Sequence, residues 1–178
     1  MNFLELVHKR QSCRKYSDRT VDRQAIERCL EAARLSPSAC NSQPWRFIVI
    51  SDPELKTRVC GRAFHSIYAM NNFSSQAPVL VAVVRESSRY AARLGGTMRN
   101  IQYSLIDLGS AVEHFILQAA EEGLGTCWLG WFDERAVKKE LGLKRGDRLD
   151  IMVSVGYPER GDIRKKDRKA LSEIIERR

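Results

Sequence analysis

Residues 78–84, with the sequence PVLVAVV, constrain the fold of this chain more than any other stretch. Seven apolar residues are too few to span a membrane, and their β-branched character favours a strand. A strand that is apolar on both faces must lie inside a sheet with protein packed on each side. The run therefore predicts the central strand of a sheet that is flanked by helices.

The hydrophobic periodicity around this strand predicts a single α+β domain over residues 1–178. Three more strands are expected, at 45–50, 126–131 and 149–155. Helices are expected at 22–35, 53–62, 98–122 and 133–141, with short ones around Phe3, Leu6 and Val7 and after Lys169. Thr20 is the expected cap of helix 22–35, and Gly123 is expected to end the long helix.

The net charge of +8 is concentrated at the two ends of the chain. Residues 1–23 carry six Lys or Arg against three acids, and residues 158–178 carry eight against five. A nucleic-acid-binding module, which stays an alternative, more often places its cations along one helix or between aromatic residues. Two basic ends favour convergence on one compact anion.

Cysteine usage indicates a reducing environment. The five cysteines are scattered and form no C-x-x-C pair, which argues against a disulfide framework and against a zinc site. The N-terminal residues include Glu5 and lack an apolar signal core, so a cytoplasmic protein is expected. The three histidines accompany no local signature of a hydrolytic nucleophile.

Two polar motifs stand in the first quarter of the chain. RQSCR, residues 10–14, places two arginines around Ser12, and guanidinium groups are bidentate partners for phosphate. A solvated helix end is the alternative for this motif. PSACNSQPW, residues 37–45, offers neutral donors and acceptors that suit a flat heterocycle, or alternatively a polar turn that bonds its own backbone.

Two further motifs stand in the second half. GLGTCWLGW, residues 123–131, is not a dinucleotide fingerprint, because Trp128 replaces the last glycine and the motif follows a helix. Gly130 would let the main chain lie against a flat ligand. IRKKDRK, residues 163–169, is a dense basic run that is either a phosphate site or a solvated tail.

The order of these four motifs resembles the nitroreductase family of FMN-dependent oxidoreductases over residues 3–173. The resemblance implies a nitroreductase-like fold with a mainly antiparallel sheet, a long central helix at a homodimer interface, and FMN bound between the subunits. It implies NAD(P)H as electron donor, a small-molecule acceptor, ping-pong kinetics, and no catalytic side chain or metal. The implied FMN contacts are Arg10, Gln11, Ser12, Arg14, Pro37, Ser38, Ala39, Asn41, Gln43, Trp128, Leu129, Gly130, Lys166 and Arg168.

The resemblance further implies that Lys166 and Arg168 bind the FMN phosphate. The flavin of the partner subunit would be lined by Pro37, Ser38, Ala39, Asn41 and Gln43. Segments 61–76 and 85–97 are the candidates for a lid over the flavin. Gly130 stands where many relatives carry an acidic residue, which leaves the nicotinamide preference open. A flavin-binding sensor or storage protein of the same fold, without NAD(P)H turnover, is the alternative function.

Overall fold

The computed structural model describes residues 1–88 and 90–178. The helices are α1 (Phe3–Lys9), α2 (Arg23–Arg34), α3 (Pro53–Ala63), α4 (Tyr90–Arg99), α5 (Tyr103–Glu121) and α6 (Glu134–Glu140). The strands are β1 (Trp45–Ile50), β2 (Val79–Arg85), β3 (Gly125–Leu129) and β4 (Arg148–Gly156). Short 3-10 helices span Ala39–Asn41, Ser66–Gln76 and Leu171–Glu173.

The four strands form one antiparallel sheet in the order β1-β2-β4-β3. Alternate residues of β2 enter two separate apolar clusters. Val81 and Val83 pack in the cluster that contains α2 and α5, while Leu80 and Ala82 pack in the cluster that contains α3 and α6. The predicted strand, buried on both faces and covered by helices, is therefore confirmed.

The predicted long helix 98–122 is wrong at its start. The chain leaves the helical conformation at Asn100, whose φ is +53°, and the Ile101 N–H closes the end of α4 on the Gly96 carbonyl at 2.8 Å. Asparagine tolerates the left-handed conformation that ends helices, so two helices meet where the periodicity predicts one. At the other end, Gly123 has a φ of +76° and terminates α5, as predicted.

Two smaller predictions need correction. Asp22 caps α2 in place of Thr20, because its carboxylate accepts the Gln24 N–H at 3.1 Å. Strand β3 ends at Leu129, two residues before the predicted 131. Segment 85–97, one of the two lid candidates, contains most of α4, and its residue 89 lies outside the described residues.

No helix among the described residues has the length and apolar character needed to cross a bilayer. The segment after β4 is largely exposed from residue 159 onwards and runs back across the end of α1. That return path brings the two basic ends of the chain together.

Candidate functional site

The first motif lies as an extended segment against the edge strand β3. Ser12 forms a parallel bridge with Thr126, and the Cys13 N–H donates to the Thr126 carbonyl at 2.8 Å. A Cβ added at Gly125 would lie only 2.7 Å from the Cβ of Cys13. The small residue at 125 therefore permits this close approach of the motif to the sheet.

The C-terminal basic run is tied to the first motif by side-chain contacts. Gln11 Nε2 donates to the Asp162 carbonyl at 2.7 Å, and the backbone N–H and Nε of Arg164 donate to Gln11 Oε1, each at 3.1 Å. Arg164 Nη2 donates to the Ser12 carbonyl at 2.5 Å, and Lys166 Nζ donates to the Arg10 carbonyl. Segments about 150 residues apart along the chain thus form one surface.

Four cations, Arg10, Arg164, Lys166 and Arg168, lie close together on this surface. Burial, together with the nearby guanidiniums of Arg10, Arg168 and Arg164, lowers the pKa of the Lys166 ammonium below its usual value. Within residues 1–88 and 90–178, none of the four forms an ion pair with a carboxylate. Uncompensated like charges at short range are unfavourable, and an anion bound among them would relieve the repulsion.

A cleft of about 770 Å³ opens beside these cations. It is lined mainly by residues 9–15, 123–126 and 157–164, which include Arg10, Gln11, Ser12 and Arg14. Volumes of this size are typical of small-molecule and cofactor sites. Lys166 and Arg168, two of the predicted contacts, are not among the residues that line the cleft. Lys166 contacts the Arg10 carbonyl, whereas Arg168 is exposed and donates to the Asp167 carbonyl at 2.5 Å.

The third motif provides an open edge of the sheet. The Thr126 carbonyl points away from β4 toward Cys13, and backbone groups two residues apart on a strand point to the same side. The N–H and carbonyl of Trp128 therefore face the same edge. The Leu129 side chain is buried in the core and, by the same alternation, its backbone groups face β4, whereas a Cβ at Gly130 would meet open space.

The 3-10 helix Ser66–Gln76 borders this edge. The Trp131 indole N–H donates to the Ile67 carbonyl at 2.9 Å, and Asn71 Nδ2 donates to the Trp131 carbonyl at 2.8 Å. The exposed guanidinium of Arg14 lies 6.0 Å from the centroid of the Phe73 ring. The lid candidate 61–76 is thus joined to Trp131 by two hydrogen bonds.

The second motif lies apart from the cleft, on the N-terminal half of α5. None of the described residues that line the cleft comes from the loop 37–43. Within this loop, Gln43 N–H donates to Ser38 Oγ at 3.0 Å, and Gln43 Nε2 donates to Asn41 Oδ1 at 2.9 Å. Pro37 is exposed, and the Ala39 N–H donates to Asp107 Oδ1 at 3.0 Å. The alternative of a turn that bonds itself thus describes part of these contacts.

The comparison with protein families decides the classification. The model of the family described as "Nitroreductase family" matches residues 7–69 and 67–157, which is most of the chain. The chain belongs to the nitroreductase family. The predicted family and the predicted α+β nitroreductase fold are therefore confirmed.

Relatives and solved structures of the nitroreductase family align with nearly the whole of this chain. A protein of Archaeoglobus fulgidus, provisionally named NADH dehydrogenase/NAD(P)H nitroreductase, is 34% identical over 88% of this chain and 85% of its own length. An iodotyrosine deiodinase of Thermotoga neapolitana is 27% identical over 87% and 88% of the two chains. A nitroreductase family protein from Clostridium difficile superposes with a TM-score of 0.78 at 29% identity, covering 99% and 98% of the two chains.

Arg164 is the member of the site that the sequence interpretation missed. The K-x-R pattern of the nitroreductase family points only to Lys166 and Arg168 within the basic run. An extended chain presents every second residue on the same side, so residue 164 belongs to the same row as 166 and 168. That spacing was the available signal.

Proposed function

We propose that this protein binds FMN and uses it to transfer electrons from NAD(P)H to a small-molecule acceptor. The observation that carries the proposal is the convergence of Arg10, Arg164, Lys166 and Arg168, from the two ends of the chain, without a carboxylate partner among the described residues. A terminal phosphate has the charge and the acceptor oxygens for such a site. The motif after α5 lacks the fingerprint of a dinucleotide site, which favours FMN over FAD.

Groups in and beside the cleft would serve the rest of the cofactor. Ser12 and Gln11 offer polar groups beside the cations, and the open edge of β3 at Trp128 offers a backbone N–H to a flat ring. The exposed Arg14 guanidinium suits a ring edge that gains negative charge, because a fixed cation stabilises such charge where water is excluded. The chemistry that a bound FMN supplies is two-electron transfer from donor to acceptor.

The chain's own residues have no proton-transfer role in this proposal. The thiols at this site are Cys13, within the first motif, and Cys127, in the neighbouring strand β3; burial raises the pKa of both. A buried neutral thiol is a poor nucleophile. Their contribution is packing between the motif and β3, while the arginines, Lys166 and the backbone bind and orient.

We further propose that the loop 37–43 serves the flavin of a second copy. The loop lies away from its own chain's cleft and exposes polar groups, including Asn41 and Gln43. Leu105 and Ile106, near the start of α5, expose 40% and 60% of their surface and offer an apolar face for a homodimer. Each site would then combine arginines of one subunit with the loop of the other.

The names of the relatives support a set of candidate acceptors. The relatives include NAD(P)H nitroreductases and iodotyrosine deiodinases, so nitroaromatic compounds, quinones and halogenated phenols form the set to screen with the reduced protein. Trp131 and the neighbouring Tyr68, whose ring centroids are 5.2 Å apart, provide an aromatic wall for planar acceptors.

The decisive experiment identifies the cofactor. Mass spectrometry of the compound released from the purified protein should detect FMN, and Arg168→Ala should weaken its binding by roughly 1.5–3 kcal/mol, the range for a hydrogen bond to a charged group. Arg177→Ala, which removes an exposed arginine from the same tail, should leave binding unchanged.

Recovery of FAD, or no binding of FMN on reconstitution, would refute the proposal. Bound FMN that neither NADH nor NADPH reduces anaerobically, while dithionite does, would favour the sensor or storage function.

A further inference from the structure

Asp107 is a buried carboxylate near the N-terminal end of α5, next to the buried Leu108. Only 5% of its surface is exposed, and Oδ2 has no hydrogen-bond partner among the described residues. Oδ1 accepts the Ala39 N–H at 3.0 Å. A carboxylate in such surroundings destabilises a fold unless its contacts compensate. Its presence therefore calls for a role beyond packing.

The residues that follow Ala39 hold an unfavourable backbone conformation. Cys40, Asn41 and Gln43 have φ values of +53°, +51° and +48°, which side chains other than glycine rarely adopt. Such residues cluster at ligand sites and persist only when surrounding contacts fix them. Contacts with the rest of the protein must therefore hold the loop 37–43 in this conformation.

Most of the bonds that shape this loop are internal to it. The Gln43 N–H donates to Ser38 Oγ, and Ser42 Oγ donates to the Ala39 carbonyl at 2.5 Å. Internal bonds fix the shape of the loop but not its place on the fold. The Ala39–Asp107 bond links the first residue of the turn to α5, immediately before the left-handed pair.

We propose that Asp107 is the positioning residue of the loop 37–43. Its carboxylate fixes the Ala39 N–H on α5 and thereby holds the left-handed residues where their side chains meet the flavin. The consequence for the cofactor rests on the proposed function, whereas the effect on the loop does not. Asp107 itself touches no cofactor in this assignment.

A purely structural role predicts a different pattern. If Asp107 served stability alone, its replacement would lower the thermal midpoint. Any rise in hydrogen exchange or loss of FMN affinity would then follow from that general loss of stability. A positioning role predicts that Asp107→Asn, which keeps an acceptor oxygen for Ala39, retains function. It also predicts that Asp107→Ala loosens the loop while the midpoint changes little, because an unpaired buried charge disappears with the bond.

The matched control is Ser110→Ala, one turn further along α5. It removes the 2.8 Å contact between the hydroxyls of Ser110 and Ser36, which is the neighbouring link between α5 and the chain just before the loop. The three variants are compared by hydrogen–deuterium exchange of a peptide spanning 37–44, by the dissociation constant for FMN and by the thermal midpoint.

We expect Asp107→Ala to raise exchange in this peptide and to weaken FMN binding about tenfold, within the range for a hydrogen bond to a charged group. Asp107→Asn and Ser110→Ala should stay within about threefold of the wild type. Unchanged exchange in Asp107→Ala would overturn the assignment, and so would equal effects of Asp107→Ala and Ser110→Ala. If the wild type binds no flavin, the exchange arm alone supports or refutes the role of Asp107.

Discussion

Replacing Arg164 by alanine should weaken FMN binding although the side chain need not touch the cofactor. The variant keeps the backbone N–H of residue 164, and its bond to Gln11, and loses two guanidinium bonds. These run to Gln11 Oε1 at 3.1 Å and to the Ser12 carbonyl at 2.5 Å. At about 0.5–1 kcal/mol each for an exposed position, the loss is about 1–2 kcal/mol.

This free energy organises the surface on which the phosphate would bind, so its loss corresponds to roughly a 5- to 30-fold higher dissociation constant. Titration of the apoprotein with FMN, followed by quenching of flavin fluorescence, measures the change. Arg160→Ala is the matched control, because Arg160 lines the same cleft, four residues earlier, and carries the same charge. Screened by physiological salt, its removal should change affinity by about twofold or less.

Equal losses in the two variants would refute the reasoning, since they would show that Arg164 acts only through its charge. An unchanged affinity in Arg164→Ala would refute it as well. Circular dichroism and the thermal midpoint of both variants exclude a general loss of structure as the cause.

Three other predictions test the remaining parts of the site. The thermal midpoint of apo Lys166→Met, taken relative to the wild type, should be highest near pH 7 and should fall as pH rises, because a lysine whose pKa is lowered on folding destabilises the fold only while the unfolded chain keeps that lysine protonated. The FMN affinity that Lys166 adds should fade in alkaline solution as the lysine loses its proton. A variant without either effect would contradict the crowding of cations. An Arg10/Arg14 double variant mixed with a Ser38/Asn41 double variant should recover one intact site per heterodimer, and failure to recover flavin binding under exchange conditions argues against a shared site. Initial rates with NAD(P)H and a quinone should give parallel double-reciprocal lines, whereas intersecting lines would reveal a ternary complex.

The sequence determined those parts of the fold that depend on local pattern. Strand β1 spans Trp45–Ile50 as predicted, because a turn motif bounds an apolar run there. The 3-10 helix Ser66–Gln76 was not predicted, since its residues follow neither a helical nor a strand period. The break at Asn100 depends on one residue adopting a left-handed conformation, which periodicity does not detect.

The same limit applies to the site. The motifs and their resemblance to the nitroreductase family predict which residues contact the cofactor, and that assignment stays a prediction. The link from Arg164 to Gln11, and the tether from Asp107 to Ala39, join residues far apart in the chain. Such pairs follow from the path of the chain in three dimensions, and no local pattern encodes them.

The contacts between the two basic ends can form only late in synthesis of the chain, after residues 162–166 have been made. The bonds that join residues 10–12 to residues 162–166 close loops of about 150 residues, which are among the last contacts that a folding chain makes. Until the basic run 163–169 has been synthesised, the sheet and its helices have the residues to assemble, but the proposed anion site has only its N-terminal half. A cofactor bound at that site would therefore meet a nearly complete sheet, and its capture would report that the basic run has returned to the first motif.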